Sequence, residues 1–186
     1  MTKRIKIVFA GESGVGKTSI ANRLVRKEFL PTNPTIGAAN FSISIGQYIF
    51  NIWDTAGQER YRSLGPMYYA GTNCAILVFD VNSRTSFQAI SSFYDAIKES
   101  APDNCVYILI GNKIDLDNRE ISNQEAEEYS REIGAYFYVE SSAKTGEGLI
   151  DLLEQIKDCP QLRYEEEKKV DTTLNEHEKD DGSCSC

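Results

Sequence analysis

The sequence predicts an α/β fold, a mostly parallel sheet covered by helices on both faces. Three observations predict it. Residues 74–81 (CAILVFDV) and 106–110 (VYILI) are unbroken apolar runs, as strands buried on both faces require. Helical periods separate such runs, and strand–helix alternation at this density needs parallel pairing. A glycine-rich loop stands directly after the first apolar run, where a strand hands over to a helix. The length of 186 residues suits one domain, and 41% apolar with 26% charged residues is ordinary for a soluble globular chain. The 20 basic and 28 acidic side chains leave a formal charge of -8, which argues against a broad grip on nucleic acid. No apolar run approaches the roughly 20 residues of a membrane-spanning helix. The basic start Met1-Thr2-Lys3-Arg4-Ile5-Lys6 leads into Ile7-Val8-Phe9-Ala10, too short for a signal-peptide core, so a cytosolic location is expected.

In chain order, Ile5, Ile7, Val8 and Phe9 form the first strand, and the glycine loop opens a helical stretch from Lys17. Residues 41–45 (FSISI) and 48–52 (YIFNI) flank Gly46-Gln47. A two-residue turn there pairs Ile45 with Tyr48, Ile43 with Phe50 and Phe41 with Ile52, and puts all six on one face. Glycine at the first central position suits a type II′ turn, so an antiparallel hairpin is expected at one edge of the sheet. Phe87, Ile90, Tyr94 and Ile97 recur at three- and four-residue spacing, a helical stripe. Ser122 followed by Glu125 is a capping-box signature opening a polar helix. Residues 136–139 (YFYV) read as a strand, and Leu149, Leu152, Leu153 and Ile156 as the stripe of the last helix. Pro160 cannot continue that helix and marks the boundary between a domain of residues 1–160 and a tail of residues 161–186. The tail holds eight acids against four bases, with only Leu162, Val170 and Leu174 clearly apolar. Such a stretch buries too little to offset its ordering entropy and is expected to be flexible. His177 lies in it and reads as solvated. Cys74, Cys105 and Cys159 sit singly in apolar contexts and read as buried small hydrophobes, whereas Cys184 and Cys186 have nothing apolar around them.

The chemistry begins at Gly11-Glu12-Ser13-Gly14-Val15-Gly16-Lys17-Thr18, which fits G-x-x-x-x-G-K-[ST] between a strand and a helix. Its glycines let backbone N–H groups from Ser13 to Thr18 turn inward on phosphate, and the helix dipole adds to them. Lys17 supplies a point charge for the outer phosphates, and the Thr18 hydroxyl is a ligand for Mg²⁺. Asp54-Thr55-Ala56-Gly57-Gln58 follows the strand YIFNIW. Asp54 is placed to hold Mg²⁺ through water, Gly57 to bring a backbone N–H to a terminal phosphate, and Gln58 to orient an attacking water. Asn112-Lys113-Ile114-Asp115 follows the strand VYILIG. The Asp115 carboxylate accepts from guanine N1–H and the 2-amino group, donors that adenine lacks. Lys113 lays its stem along the ring, and Asn112 ties the base loop to the phosphate loop. Ser142-Ala143-Lys144 brings backbone to guanine O6, with Lys144 on the ring. At the ends of successive strands these segments outline one crevice.

The set GESGVGKT, PTIG, WDTAGQ, NKID and SSAK resembles the Ras superfamily of small GTPases over roughly residues 4–160. DTAGQERY and the Cys184-Ser185-Cys186 terminus narrow the resemblance to the Rab branch, and TIGAA with SLGPMYY to its endosomal subgroup. The resemblance implies a Ras-like G domain with a mostly parallel six-stranded sheet and one antiparallel edge strand. It implies slow hydrolysis of GTP to GDP with Mg²⁺, and two switch segments that read the terminal phosphate in vesicular membrane traffic. It makes Thr35 the first-switch Mg²⁺ ligand and Phe29 the aromatic beside guanine. It implies a monomer that meets effectors, an exchange factor, a GTPase-activating protein and a Rab GDP-dissociation inhibitor or escort protein, on the cytosolic face of an endosomal membrane. No nucleic-acid partner is expected.

Two features depart from the family pattern. Small GTPases usually place seven steps between the base-side Phe and the switch threonine, whereas Phe29 to Thr35 is six. Rab proteins usually carry an aromatic five steps after that threonine, where this chain has Asn40, with Phe41 next. The hairpin is also several residues short. The family's aromatic surface triad would be Phe41 (or Asn40), Trp53 and Tyr68, although Trp53 and Tyr68 read equally as half-buried packing. Cys184 and Cys186 resemble a double geranylgeranylation signal. Two lipids are needed because one holds weakly and an acidic tail gains nothing from anionic lipid. A phosphoryl-transferring kinase would share residues 11–18 but would leave NKID and SSAK unexplained. A GTP-dependent effector-binding module with negligible turnover is the second alternative, against which Gln58 argues.

Overall fold

The computed structural model describes residues 2–57 and 65–167. Strand β1 (Thr2–Ala10) lies at the centre of the sheet. Helix α1 (Lys17–Arg26) leads to the hairpin of β2 (Ala38–Ile45) and β3 (Tyr48–Thr55). A short α2 (Gly65–Tyr69) precedes β4 (Cys74–Asp80), α3 (Arg84–Gln88) and α4 (Ile90–Ser100). Then come β5 (Val106–Asn112), α5 (Asn123–Glu132), β6 (Phe137–Ser141), α6 (Leu152–Lys157) and β7 (Glu165–Glu167). Six strands run in the order β2-β3-β1-β4-β5-β6, all parallel except the β2–β3 pair. This is the expected sheet.

The sheet separates two cores because its side chains alternate. Ile5, Ile7, Phe9, Phe50, Ile52, Ile76 and Ile108 pack with Ile20 and Leu24 of α1 and Leu152, Leu153 and Ile156 of α6. Val8, Leu77, Phe79 and Leu109 face Ile90, Phe93 and Ile97 of α4 and Ala126 of α5. Each such aliphatic side chain contributes about 1.5–3 kcal/mol by leaving water. The helical stripe expected at Phe87, Ile90, Tyr94 and Ile97 is interrupted at Ala89, between α3 and α4, and its buried member in the second turn is Phe93. Tyr94 is half-buried and meets the Tyr107 ring at 4.9 Å. Ser122 caps α5 as expected, its Oγ accepting from the Glu125 N–H at 3.1 Å. Cys74, Cys105 and Cys159 are buried, and burial pushes the Cys105 thiol up to about 12. A thiol so far from its thiolate form is inert.

The hairpin has the expected register: Ile45 opposes Tyr48, Ile43 opposes Phe50 and Phe41 opposes Ile52. Gly46 turns it at φ 58°, the positive φ that a type II′ turn needs at its first central position.

The chain stays on the domain beyond Pro160, so residues 161–167 correct the expected boundary. Leu162 is buried in the α1–α6 core. Tyr164 meets Tyr48 edge-on at 6.0 Å and carries the Lys3 ammonium 4.5 Å from its ring centre. β7 pairs antiparallel with the start of β1, Glu166 opposite Lys3 and Glu165 opposite Arg4. Two apolar anchors and an acidic strand against a basic one supply the burial that composition alone hides. Residues 168–186, with His177, Cys184 and Cys186, lie outside the described residues.

Candidate functional site

The strand order reverses at β1, and the phosphate loop follows that strand, at the switch point where open α/β sheets bind ligands. The carboxyl ends of β3, β5 and β6 bring residues 56–57, 112–116 and 142–144 to the same edge. Together they wall a cleft of about 380 Å³, lined at one end by Gly16, Lys17, Thr18 and Thr35 and at the other by Asp115 and Lys144.

At the phosphate end, Lys17 is 5% exposed and donates from Nζ to the Gly11 and Glu12 carbonyls, both at 2.8 Å. Burial pushes its ammonium down to about 8, against the pull of the Asp54 and Glu12 charges. The folded value lies below the unfolded 10.5. Between these values the unfolded chain holds a proton that the fold has released, so the fold gains stability as pH rises through the window.

Asp54 ends β3 fully buried. Its Oδ2 accepts from Thr18 Oγ1 at 2.6 Å and Thr35 Oγ1 at 3.1 Å, and the two hydroxyls are 3.0 Å apart. Six steps from Phe29 therefore suffice to bring Thr35 to the cluster. Asp54 Oδ1 is buried with no hydrogen-bond partner among the described residues. Burial raises the Asp54 carboxyl, although Thr18, Lys17 and Thr35 all favour its ionised form. Two hydroxyls and one under-satisfied carboxylate are hard-oxygen donors that fit Mg²⁺. Among the described residues no three His, Cys, Asp or Glu side chains gather as a metal cluster.

Two glycines set the close approaches. A Cβ on Gly16, whose φ is 102°, would stand 2.3 Å from Asn112 Nδ2. A Cβ on Gly57 would stand 2.3 Å from the Glu12 carbonyl carbon. Gly57 thus lies against the phosphate loop, and Gln58 follows it outside the described residues.

At the base end, Asn112 Nδ2 donates to the Val15 carbonyl at 2.8 Å, and Oδ1 accepts from Ser141 Oγ at 3.2 Å and the Ala143 N–H at 3.1 Å. The bridge expected of Asn112 is present. The Ala143 N–H, one backbone group of the Ser142–Lys144 segment, donates to Asn112. Asp115 Oδ1 accepts from Ser142 Oγ at 2.6 Å, and Lys144 Nζ lies 3.8 Å from Oδ2. Phe29, 49% exposed, lines the same end. Lys113, at φ 69°, pairs with Asp80 at 2.7 Å. Burial pushes the Asp80 carboxyl up, but Lys113 and Asn82 outweigh it and hold it below the usual range. The Asp80 role was missed by sequence reasoning; its signal is an acid closing the apolar run of β4.

Of the surface triad, Trp53 and Tyr68 stand together with ring centres 6.0 Å apart. Asn40 opposes Trp53 across the hairpin, whereas Phe41 opposes Ile52 and packs into the core. The expectation of Phe41 as third member is therefore corrected in favour of its alternative: strand alternation puts the Phe41 ring on the other face, and Asn40 holds the position.

A phosphate loop at the switch point of a parallel sheet, with a strand-end carboxylate beside its threonine, defines a phosphate-loop nucleotide-binding protein. Residues 6–159 match the Ras family. The chain is 42% identical to the Ras-related protein Rab-5B of Dictyostelium discoideum, covering 83% of this chain and 74% of that protein. It is 42% identical to RABF2a of Arabidopsis thaliana, over 81% and 78% of the two chains. It is 41% identical to human Rab-22A, over 83% and 82%. The chain belongs to the Ras family, as a Rab small GTPase of the endosomal type. It is a GTP-hydrolysing switch of membrane traffic, and the reading as a binding module without turnover is not favoured. Ras-like GTPases generally bind GTP or GDP with Mg²⁺.

Proposed function

We propose that the cleft holds one guanine nucleotide along its whole length. The continuity of the lining from Asp115 to Thr35 carries this reading, because it spans base and phosphates in a single groove. Asp115 reads the guanine edge, with Ser142 fixing the carboxylate. Lys113, Lys144 and Phe29 border the ring, and Ala143 supplies backbone beside it. The amides of Ser13, Gly14, Val15, Gly16, Lys17 and Thr18 cradle the phosphates, and Lys17 Nζ leaves its two carbonyls for them. Thr18 and Thr35 would hold Mg²⁺, with Asp54 acting through water, and neutralising phosphate charge is the chemistry the ion would supply. The Gly57 N–H meets the terminal phosphate, and Gln58 orients the attacking water.

Intrinsic turnover is slow, and an activating protein supplies transition-state charge worth about 10³–10⁵ in rate. Single-turnover GTP hydrolysis with and without a cell extract tests this. Fast hydrolysis without extract, or none with it, would overturn it.

The tail beyond residue 167 ends in Cys184 and Cys186, which carry prenyl groups that hold the protein on the cytosolic face of an endosomal membrane. Effectors meet the Trp53–Tyr68 face. An exchange factor and a Rab GDP-dissociation inhibitor or escort protein complete the cycle of a monomeric switch. Cys184→Ser or Cys186→Ser should shift the protein mostly to the soluble fraction, because one lipid gives only marginal binding. Cell fractionation reads the outcome; a single variant as firmly bound as wild type would mean that one anchor suffices.

A further inference from the structure

Arg23, in the last turn of α1, is absent from the cleft lining yet reaches both walls of its base end. Nε donates to the Ala143 carbonyl at 2.9 Å and Nη2 to the Lys144 carbonyl at 2.5 Å. Nη1 donates to the Lys27 carbonyl at 3.0 Å. Three nitrogens of one planar group thus hold three carbonyls from segments about 120 residues apart in sequence. The loop they hold is a tight turn, with the Gly146 N–H on the Ser142 carbonyl at 2.7 Å and the Thr145 N–H on Ser142 Oγ at 3.1 Å. Its inner side engages Asp115 and Asn112, while the Ala143 and Lys144 carbonyls turn back to Arg23. The third carbonyl belongs to Lys27, in the left-handed conformation at φ 62°, two residues before Phe29.

We propose that Arg23 is a positioning residue whose guanidinium clasps the Ser142–Lys144 loop to the turn leading to Phe29, and that this clasp sets how long the nucleotide is retained. The proposal rests on reading the cleft as a guanine-nucleotide site. An ammonium cannot reproduce the clasp. It is a point donor, whereas the guanidinium fork serves adjacent carbonyls in fixed geometry and a third from its other side. Charge-assisted bonds of this kind are about twice as strong as neutral ones. Loss of the clasp frees both walls of the base end and leaves the phosphate end untouched.

The test is release of a fluorescent GDP from the full-length protein, chased with excess GDP, with Mg²⁺ and again with EDTA. Arg23→Ala should release at least about tenfold faster, equivalent to about 1.4 kcal/mol. Arg23→Lys should fall between it and wild type. Arg26→Ala, which removes a charge from the same turn, should match wild type. The Arg23→Ala ratio should persist in EDTA, because distant sites act additively. A wild-type rate for Arg23→Ala, or a ratio that collapses to one in EDTA, would overturn the proposal. Should Arg23→Ala fail to fold, Arg23→Lys and Arg23→Gln give the same reading through their order of release. Wild-type protein that fails to retain fluorescent GDP would overturn the reading of the cleft itself, and the proposal with it.

Discussion

Asp115→Asn should weaken GTP by about 100-fold or more and let xanthosine triphosphate compete, since a mispaired buried polar edge discriminates by about 10⁴–10⁵. Guanine presents two donors, N1–H and the 2-amino group, to a carboxylate that only accepts. Xanthine keeps N1–H but has a carbonyl at position 2, which a carboxamide NH₂ satisfies. Ser142 Oγ donates to Asp115 Oδ1 at 2.6 Å, a bond that a carboxamide oxygen can keep while its second lone pair accepts N1–H. Competition of GTP and XTP against a fluorescent nucleotide measures the shift. An unchanged preference would remove Asp115 from the site.

Gln58→Leu should leave GTP affinity within about twofold and slow hydrolysis in the presence of an activating protein by at least about 100-fold. Leucine fills similar space but cannot hydrogen-bond a water. The Gly57 Cα lies so close to the Glu12–Ser13 backbone that a Cβ would come within 2.3–2.4 Å of it. Single-turnover hydrolysis with a cell extract checks the rate, and nucleotide titration checks the affinity. A collapse of affinity with the rate of bound GTP unchanged would make Gln58 structural.

Much of this was legible locally. The runs of β4 and β5 read as strands buried on both faces because a central parallel strand has no polar side to show. The hairpin register follows from period-two alternation about Gly46, where a slip of one residue would turn the three apolar side chains of one strand away from those of the other. The phosphate loop, Asp54, Asn112 and Asp115 were found because each is a short motif at a strand end. The Ser122 cap was equally local, a side chain bonding a backbone group three residues on.

Other features were beyond local pattern. Composition made residues 161–167 look like free tail, yet Leu162 and Tyr164 find a core and an aromatic partner that only the assembled sheet supplies. A stripe count favours Tyr94, yet the buried ring of that turn is Phe93, with Tyr94 packed half-buried beside it. Asn40 rather than Phe41 stands beside Trp53 because strand pairing, not distance from Thr35, assigns the face. The Asp80–Lys113 pair and the Arg23 clasp join residues more than 30 and 120 positions apart, and neither Asp80 nor Arg23 belongs to a motif. Motifs and periodicity report what a residue does within its own element. Which distant carbonyl a guanidinium reaches, or which core takes a stray leucine, depends on how elements pack. That packing is settled by the burial of whole faces, a property no short window of sequence contains.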